Sequence, residues 1–429
     1  MTQTIDITGI GSDMQGVGRL ADERAVFVPG ALPGERVTVR ITRDAGRFCE
    51  AELTKVLAPS AHRIAPNCPH DGACGGCRIR HAAYDHTLEL KRMRVVDALT
   101  RIAGIESPAV RETIGCETPD RARNKAEYPI RNGVIGMFAA GGARLVPIED
   151  CLLQSAQSVA IMRRAAELLK GSNVSGWLVT RTNAQGDGMA ILSAQGKPPA
   201  WLDRLAEIPG VRSIWHCALK PRPTHALDGA MHHVCGERTI RETLCGLDFD
   251  ISPQTFFQVN TAQAEILYER ALDAAGLTDE SRVLDAYCGC GTLTLAAAKY
   301  AQSALGVEIV APAISDARKN AARNRLDHKT RFVCADAGAE IPHLVRAGEM
   351  FDRVIVDPPR KGCDPALIEA LGLLKPERIA YVSCDPATLA RDVKRLRAHG
   401  YGLAWAQPVD MFPWTGHVEC VVLMSRERY

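Results

Sequence analysis

The chain has 429 residues, of which 46% are hydrophobic and 24% charged, as in ordinary globular proteins. Its formal net charge is only +2, so no global basic field marks a nucleic-acid partner, and RNA binding would depend on local patches. The N-terminal segment lacks a basic region followed by an apolar one, and no apolar run approaches the roughly 18–20 residues that span a bilayer. We therefore expect a cytoplasmic protein of several domains, without a membrane partner.

The first part of the chain, residues 1–58, alternates apolar and polar residues between Gly/Pro turns, as in AVFVPGALPGERVTVRI. This pattern predicts a small antiparallel barrel of short strands. Lys and Arg residues on such strands can contact a nucleic-acid backbone, as in oligonucleotide-binding barrels. A solvated strand face is the alternative interpretation.

The middle part, residues 59–250, is predicted to be an α+β domain. The segment TLELKRMRVVDALTRIAGI shows helical spacing and ends at Gly104. Short strands such as KAEYPI, GVIGMF, WLVTRT and MAILSA follow, with a helix near 154–170.

The last part, residues 251–429, alternates strands and helices. The apolar runs VLDAYC, SALGVEI, RFVCAD, FDRVIVDPP and RIAYVSC each precede a helical segment. This order predicts βαβ units and a parallel sheet that is covered on both faces.

A glycine turn follows a strand in SRVLDAYCGCGTLTLAAAK, and such a turn lets a ligand approach the backbone closely. Gly289 and Gly291 lack the third glycine of a dinucleotide fingerprint, and Asp285 would repel a pyrophosphate, so a positively charged ligand is favoured. The next two strands end at Glu308, suited to ribose hydroxyls, and at Asp336, beside the expected position of an adenine. A dinucleotide site is the alternative, and each acid taken singly is more typical of a helix N-cap.

A second candidate site element is the turn in FDRVIVDPPRKGCDP, which places Asp357 and two prolines at the carboxyl edge of the predicted sheet. Arg360 stands where enzymes that methylate exocyclic amines carry a stacking aromatic residue, which disfavours that reaction. The next strand ends in Cys384, before a helix that begins near Pro386, and a helix N-terminus stabilises a thiolate. A lone cysteine is ordinarily a buried thiol, but the position after the DPP turn favours a nucleophile.

A nucleophilic cysteine beside a site for a positively charged ligand, such as a sulfonium methyl donor, suits methylation of uracil at carbon 5. That carbon is a poor nucleophile by itself and needs a thiolate to activate it. Addition of sulfur to carbon 6 generates an enolate whose carbon 5 attacks a sulfonium methyl group, and a base then removes the carbon-5 proton. Glu419, at the start of an apolar strand, is the candidate base, since apolar surroundings raise the pKa of a carboxyl group. An exposed acid at a strand start is the alternative, and His417 is a second candidate base.

Three of the fifteen cysteines lie close together in CPHDGACGGC, namely Cys68, Cys74 and Cys77. Cys151, in VPIEDCLLQ, is the best candidate for a fourth ligand. Thiolates alone bind either zinc or an iron–sulfur cluster. Because zinc ribbons pair two CxxC knuckles, which are absent here, a 4Fe–4S cluster is favoured over zinc, and a metal-free thiol loop is a third possibility.

Several segments together resemble the RNA uracil-5-methyltransferase family, and they run from the N-terminus to the C-terminus. The resemblance implies an N-terminal TRAM-type OB barrel, an α+β central domain with an iron–sulfur cluster, and a C-terminal Rossmann-like methyltransferase domain. The segments are FVPGALPGE, CPHDGACGGC, RNKAEYPI, SPQTFFQVN, DAYCGCGTLTLA, VDPPRKG, YVSCDPATLARD and MFPWTGHVE.

The resemblance also implies roles for individual residues, with Cys384 as nucleophile and Glu419 as base. Two departures from the family pattern are Arg80, where Gln is usual, and Asp385, whose charge next to the thiol would raise its pKa. The implied contacts to S-adenosylmethionine are Gln258, Tyr287, Thr292, Glu308, Asp336 and Asp357, and the implied cluster ligands are Cys68, Cys74, Cys77 and Cys151.

The leading hypothesis is therefore a monomeric enzyme that methylates a uridine of 23S ribosomal RNA, with transfer RNA as the second choice. The resemblance to ribosomal RNA enzymes rests on the cluster and is an analogy. Two alternatives differ in class. One is an RNA-binding or RNA-folding protein whose methylation is incidental, and the other is an amine-directed methyltransferase that does not need Cys384.

Overall fold

The computed structural model describes residues 2–426. These residues form a closed five-stranded barrel, a central seven-stranded sheet, a two-stranded hairpin and a C-terminal seven-stranded sheet with its helices. None of the helices in these residues is long and apolar enough to cross a membrane.

The N-terminal barrel has the strand order β1-β2-β3-β5-β4. Alternate residues of its strands, such as Val26, Val28, Val37 and Val39, fill the interior and are fully buried. The pairs are antiparallel except β3 with β5, which is parallel over residues 25–27 and 48–50 and closes the barrel; the prediction of a wholly antiparallel barrel was wrong in this pair. The strands are β1 Thr2–Ile10, β2 Gly16–Arg19, β3 Ala25–Val28, β4 Arg36–Asp44 and β5 Phe48–Ala58.

The central sheet has the order β12-β11-β10-β9-β6-β7-β8, and helix α2 covers one face. Ser155 caps α2, since its side chain accepts a hydrogen bond from the Ser158 N–H. The elements are β6 Lys125–Arg131, β7 Val134–Phe138, β8 Leu145–Pro147, α2 Ala156–Leu169, β9 Gly176–Thr182, β10 Gly188–Ala194, a 3₁₀ helix Leu202–Glu207, β11 Val211–Leu219 and β12 Gly229–Gly236.

Two elements of the predicted central domain pack against the C-terminal sheet instead. Helix α1 (Tyr84–Arg101) buries Val95 and Leu99 in the core beneath that sheet. The hairpin β13 (Ile240–Leu244) and β14 (Leu247–Ile251) contacts the end of helix α5 (Ala311–Arg323), where the Asp248 N–H donates to the side chain of the C-cap residue Asn324 at 2.9 Å. The predicted domain boundary at 250 thus falls inside β14.

The C-terminal sheet has the order β17-β16-β15-β18-β19-β21-β20. Its strands are parallel except β21, which is antiparallel to both neighbours because the connection 410–418 is shorter than the roughly dozen residues that a crossover needs. The order reverses between β15 and β18, where ligands bind in open α/β sheets. The elements are α3 Thr261–Ala275, β15 Arg282–Ala286, α4 Thr292–Ala298, β16 Ser303–Glu308, α5 Ala311–Arg323, β17 Thr330–Cys334, α6 Ala337–Arg346, β18 Arg353–Val356, α7 Pro365–Leu374, β19 Arg378–Ser383, α8 Pro386–Ala398, β20 Tyr401–Val409 and β21 Glu419–Arg426.

Candidate active site

The glycine turn after β15 adopts left-handed backbone conformations. Tyr287, Gly289 and Gly291 have φ values of 86°, 55° and 85°. A Cβ atom on Gly291 would lie 3.1 Å from the Ala317 Cβ and 3.1 Å from the Phe332 ring, so this position needs glycine for both conformation and space. The turn therefore brings bare backbone to the carboxyl edge of the sheet.

The three acids that the sequence places near this turn have different environments. Glu308 accepts hydrogen bonds from the Gly289 N–H at 3.2 Å and the Val310 N–H at 2.9 Å, so it borders the turn. Asp336 is exposed and caps α6 by accepting from the Ala339 N–H. Asp285, by contrast, is fully buried within β15 rather than presented to a ligand.

Asp285 is tied to the helix that follows the turn. The Thr294 hydroxyl donates to it at 2.6 Å, and its second carboxyl oxygen is buried without a partner among the described residues. Burial raises the pKa of Asp285 to about 7. The expectation that this acid faces a cationic ligand was therefore wrong, because its side chain points to α4.

The remaining predicted donor contacts meet at the same edge. The Tyr268 hydroxyl and the Thr292 Oγ1 are 2.8 Å apart, and the Tyr287 hydroxyl accepts from the Asp364 N–H at 3.4 Å. Gln258 is buried, and its segment contacts the glycine turn through a hydrogen bond from the Cys290 thiol to the Phe256 carbonyl at 3.5 Å.

Cys384 follows the last residue of β19, and Glu419 is the first residue of β21. These strands pair antiparallel up to Ser383 opposite Cys420, so Cys384 and Glu419, each one residue further along, lie at the same end of the pair. The Glu419 charge acts on the Cys384 thiol, which is consistent with this proximity. Two residues that are 35 positions apart in the sequence thus become neighbours.

Cys384 does not have the lowered pKa that its position before a helix predicts. Burial, followed by the charges of Glu419 and Asp357, raises the pKa of the thiol to about 11, although Arg360 acts in the opposite direction. Asp385 is not among the principal causes, because its carboxylate caps α8 and accepts from two backbone N–H groups there. The expectation of a dipole-stabilised thiolate was therefore wrong.

Glu419 has the environment that the sequence predicts for a base. It is 4% exposed, and burial, with a smaller effect of the Asp357 charge, raises its pKa to about 8. Burial also raises the pKa of Asp357 to about 6. Both carboxyl groups can thus exchange a proton near neutral pH.

Sequence analysis used Arg360 only as evidence against amine methylation, but its charge acts on Cys384 and Glu419 in this crevice. Its charge lowers the pKa values of Cys384 and Glu419, and its Nη2 lies 3.3 Å from the His417 Nε2. Burial and Arg360 lower the pKa of His417 to about 4, so the second candidate base is neutral at physiological pH. The signal in the sequence that could have identified Arg360 is a cationic residue directly after Asp357 and the two prolines.

The four predicted ligand cysteines line one cavity. Cys68, Cys74 and Cys77 come from the loop before α1, and Cys151 comes from the segment before α2. Within residues 2–426, no three of these sulfur atoms lie within 4.8 Å of one another. The thiols therefore surround a space rather than a single point.

Arg80 connects this cysteine loop to the loop that leads to Glu419. Its side chain is almost fully buried, donates to the Cys77 sulfur at 3.3 Å and to the Asp120 carboxylate at 2.7 Å, and lies 4.8 Å from the centre of the Trp414 ring. The Trp414 indole N–H donates to the same Asp120 oxygen at 2.9 Å. The departure from the family pattern at Arg80 is thus part of a satisfied network.

The fold and this crevice define a class of protein: an N-terminal nucleic-acid-binding type of barrel joined to an α/β methyltransferase sheet. The TRAM domain family matches residues 1–54, and the family described as tRNA (uracil-5-)-methyltransferase matches residues 246–427. RNA methyltransferases from Caldanaerobacter subterraneus subsp. tengcongensis and Halalkalibacterium halodurans are 38% and 36% identical, each over 98% of this chain and over 97% and 96% of their own.

A solved structure is similar over the whole chain. The crystal structure of Pyrococcus abyssi tRNA (uracil-54, C5)-methyltransferase in complex with S-adenosyl-L-homocysteine has a TM-score of 0.77 and 27% identity, covering 99% of this chain and 100% of that one. The present chain therefore belongs to the RNA uracil-5-methyltransferase family. It is a methyltransferase that uses S-adenosylmethionine and acts on RNA.

Proposed function

We propose that the enzyme methylates carbon 5 of a uridine through a covalent adduct between the Cys384 sulfur and carbon 6 of the base. The observation that carries this proposal is the position of Cys384 and Glu419 at one end of the β19–β21 pair, where the charges of Asp357 and Arg360 act on both. A nucleophile and a buried acid of raised pKa, side by side in one crevice, are what addition and elimination at neighbouring ring carbons require.

Each residue has a defined task in this sequence of steps. The Cys384 thiolate adds to carbon 6, and the electron pair moves to the O4 carbonyl to form an enolate. Carbon 5 of the enolate then forms a bond to the methyl carbon, and S-adenosylhomocysteine would leave as the S–CH3 bond of bound S-adenosylmethionine breaks. The Glu419 carboxylate removes the carbon-5 proton, and the returning electron pair expels the Cys384 thiolate.

Arg360 supports the anionic states of this cycle. Its charge favours the thiolate, and a guanidinium in a partly buried crevice also stabilises a developing enolate. Asp357 has the opposite effect on the thiol, since its negative charge raises the Cys384 pKa. A cationic ligand held beside Asp357 would offset that effect, so binding of the methyl donor and activation of Cys384 would be coupled.

The methyl donor is proposed to lie along the carboxyl edge of the sheet at the β15–β18 reversal. The glycine turn leaves the backbone accessible there, and Glu308 borders it with carboxylate oxygens suited to ribose hydroxyls. The residues proposed to contact the donor are Gln258, Tyr287, Thr292, Glu308, Asp336 and Asp357.

Cys68, Cys74, Cys77 and Cys151 are proposed to hold a 4Fe–4S cluster. In a tetrahedral zinc site with Zn–S bonds of about 2.3 Å, the sulfur atoms lie only about 3.8 Å apart. The described thiols are spaced more widely, with no three within 4.8 Å, which suits a cluster with several irons. When bound, the cluster would tie the loop before α1 to the segment before α2.

The proposed substrate is 23S ribosomal RNA, by analogy with cluster-bearing members of the family. Transfer RNA is the second candidate, because the similar Pyrococcus abyssi enzyme is a tRNA methyltransferase. Mapping 5-methyluridine in both RNA classes from cells lacking the protein tests the choice. Loss of the modification from 23S RNA alone is expected, and loss from transfer RNA alone would overturn it.

The two other functional classes are tested by Cys384→Ala. The proposed mechanism predicts that this variant binds RNA with the wild-type Kd but transfers no methyl group to uridine. Retained uridine methylation would contradict the covalent mechanism. A methylated adenine or guanine product, unaffected by the substitution, would instead indicate an amine-directed enzyme.

A further inference from the structure

An open groove lies at one end of the central sheet, away from the crevice of Cys384. It encloses about 1410 Å³, including its mouth, and is formed where β6, β10 and β11 end and β9 begins. Strand β6 runs from Lys125 to Arg131, and the groove is at its Arg131 end. Its other end adjoins the C-terminal domain, where the Asn124 N–H donates to the Val259 carbonyl at 2.7 Å.

The length of β6 separates the groove from that contact by roughly 20 Å, at about 3.3 Å per residue. The groove is therefore not part of the methyl-donor site. A ligand that occupies both regions must be extended.

Two aromatic rings form part of the groove. Phe138, at the end of β7, is 37% exposed, although a phenylalanine gains most when it is buried. Trp177 is half-buried, packs partly against the adjoining core and pairs with Pro129 of β6, so its ring is held in place. Exposed aromatic rings on a rigid sheet are stacking platforms for unpaired bases.

The polar side chains of the groove suit a nucleic acid. Arg131 lies 5.8 Å from the centre of the Phe138 ring, and Lys220 also lines the groove. Lys220 is paired with Asp228 at 2.6 Å, whereas Arg131 has no acidic partner among the described residues. No acidic side chain of residues 2–426 lines the groove, and Asn132, Asn173 and Gln195 supply amides that can read base edges.

We propose that this groove binds a single-stranded segment of the substrate RNA, with a base stacked on Phe138 or Trp177 and a phosphate held by Arg131. The proposal rests on RNA methylation as the function but not on which RNA carries the target uridine. It assigns to the central domain a contact that extends the RNA footprint beyond the reacting nucleotide.

The test is steady-state methyl transfer by the full-length enzyme to RNA extracted from cells lacking the protein. The double variant Arg131→Ala/Phe138→Ala is expected to raise the KM for RNA by about tenfold or more, with kcat within about twofold of wild type, because it removes uniform binding. The slope of log KM against log salt is expected to fall by about 1.

The matched control is Arg204→Ala, which removes the same charge in the same domain. Arg204 is exposed and belongs to the 3₁₀ helix before β11, at the opposite end of that strand from Lys220. This variant is expected to keep the wild-type KM and salt slope. If the double variant also kept both, the proposal would be overturned.

Ultraviolet cross-linking of the wild-type protein to the same RNA provides an independent readout that does not depend on a variant folding. Cross-linked peptides are expected to include 129–138 or 173–177. Cross-links confined to other peptides would overturn the groove assignment. Formation of 5-methyluridine by wild type is measured in parallel, so failure of the methylation function is recognised separately.

Discussion

Cys384 and Glu419 lie at the same end of the antiparallel β19–β21 pair, and the Glu419 carboxylate makes the Cys384 thiol harder to ionise. Burial and the charges of Glu419 and Asp357 raise the pKa of the thiol to about 11, while burial and the Asp357 charge raise that of the Glu419 carboxyl group to about 8. Near neutral pH the Cys384 thiol and the Glu419 carboxyl group are therefore mostly protonated. Both groups are therefore uncharged before the reaction, and both can exchange a proton during it.

Substitution of Glu419 by Gln is expected to trap the reaction after methyl transfer. The amide cannot accept the carbon-5 proton, so elimination stops and the protein stays bonded to the methylated RNA. Denaturing electrophoresis with labelled RNA measures this complex, which should be stable to heat and detergent.

The control for this trap is the double variant Cys384→Ala/Glu419→Gln, which should form no such complex. Rapid turnover by Glu419→Gln, with release of 5-methyluridine at the wild-type rate, would show that another group is the base.

The reactivity of Cys384 should respond to the charge of Glu419. Because the Glu419 carboxylate raises the pKa of the thiol, Glu419→Gln should lower that pKa and move the alkylation profile to lower pH. The measurement is the rate of iodoacetamide modification of Cys384 against pH, followed by peptide mass spectrometry. Asp385→Asn is the matched control, since Asp385 points to the start of α8, and its profile should coincide with wild type. A shifted profile for Asp385→Asn together with an unshifted profile for Glu419→Gln would contradict the proximity of Glu419 to the Cys384 thiol.

Stability should fall with increasing pH through the same group. The folded protein keeps a proton on Glu419 up to about pH 8, whereas the unfolded chain loses it near its ordinary pKa of 4.5. The folded state therefore binds more protons between these values, and the free energy of unfolding decreases as pH rises across that window. Glu419→Gln should remove this decrease, worth on the order of a few kcal/mol.

Urea unfolding of both proteins at pH 6 and pH 9 measures the effect. The variant is expected to gain stability relative to wild type at the higher pH. Equal pH dependence of the two proteins would mean that Glu419 ionises normally in the folded state.

The sequence predicted much of this crevice because its parts are local. Cys384 after a strand, Glu419 at the start of an apolar strand and the glycine turn each follow from short segments. Sequence did not predict that Asp285 points inward, since strand alternation leaves the choice of face open. It also did not predict the effect of Arg360, which depends on the loops after β18 and before β21 meeting.

The position of α1 depended on long-range contacts in the same way. Its helical spacing was clear in the sequence, but the helix is held by Lys91, which forms a fully buried ion pair with Asp410. Asp410 lies far from α1 in the sequence, so this contact could not be predicted from local pattern. The four cysteines, by contrast, were predicted to meet and do line one cavity, because three of them are local and the fourth follows the short hairpin β7–β8.

The glycine turn can be tested by two substitutions that differ only in available space. Gly289→Ala places a Cβ in open space and should cost only the left-handed strain of about 1–2 kcal/mol. Gly291→Ala adds contacts at 3.1 Å with Ala317 and Phe332 and should lose more stability. Thermal unfolding and titration with S-adenosylhomocysteine measure both. Equal losses of stability in the two variants would show that Ala317 and Phe332 move away from the added Cβ atom at Gly291.

The proposed cluster predicts a colour and a stoichiometry. Anaerobically purified protein should absorb broadly near 400 nm and contain about four irons per chain. Cys151→Ser should lower both. Cys235→Ser is the control, because Cys235 is also half-buried but does not line the cavity. Stoichiometric zinc without this absorbance would contradict the cluster.

The covalent role of Cys384 is tested most directly with RNA that carries 5-fluorouridine at the target position. Fluorine cannot leave as a proton does, so elimination is blocked after methyl transfer and the adduct accumulates. Mass spectrometry of the digested complex should find the methylated nucleotide on the tryptic peptide 379–391, bonded to the Cys384 sulfur. Methylation of unsubstituted RNA with no adduct from the fluorinated one, or an adduct on a different cysteine, would contradict the assignment of Cys384 as nucleophile.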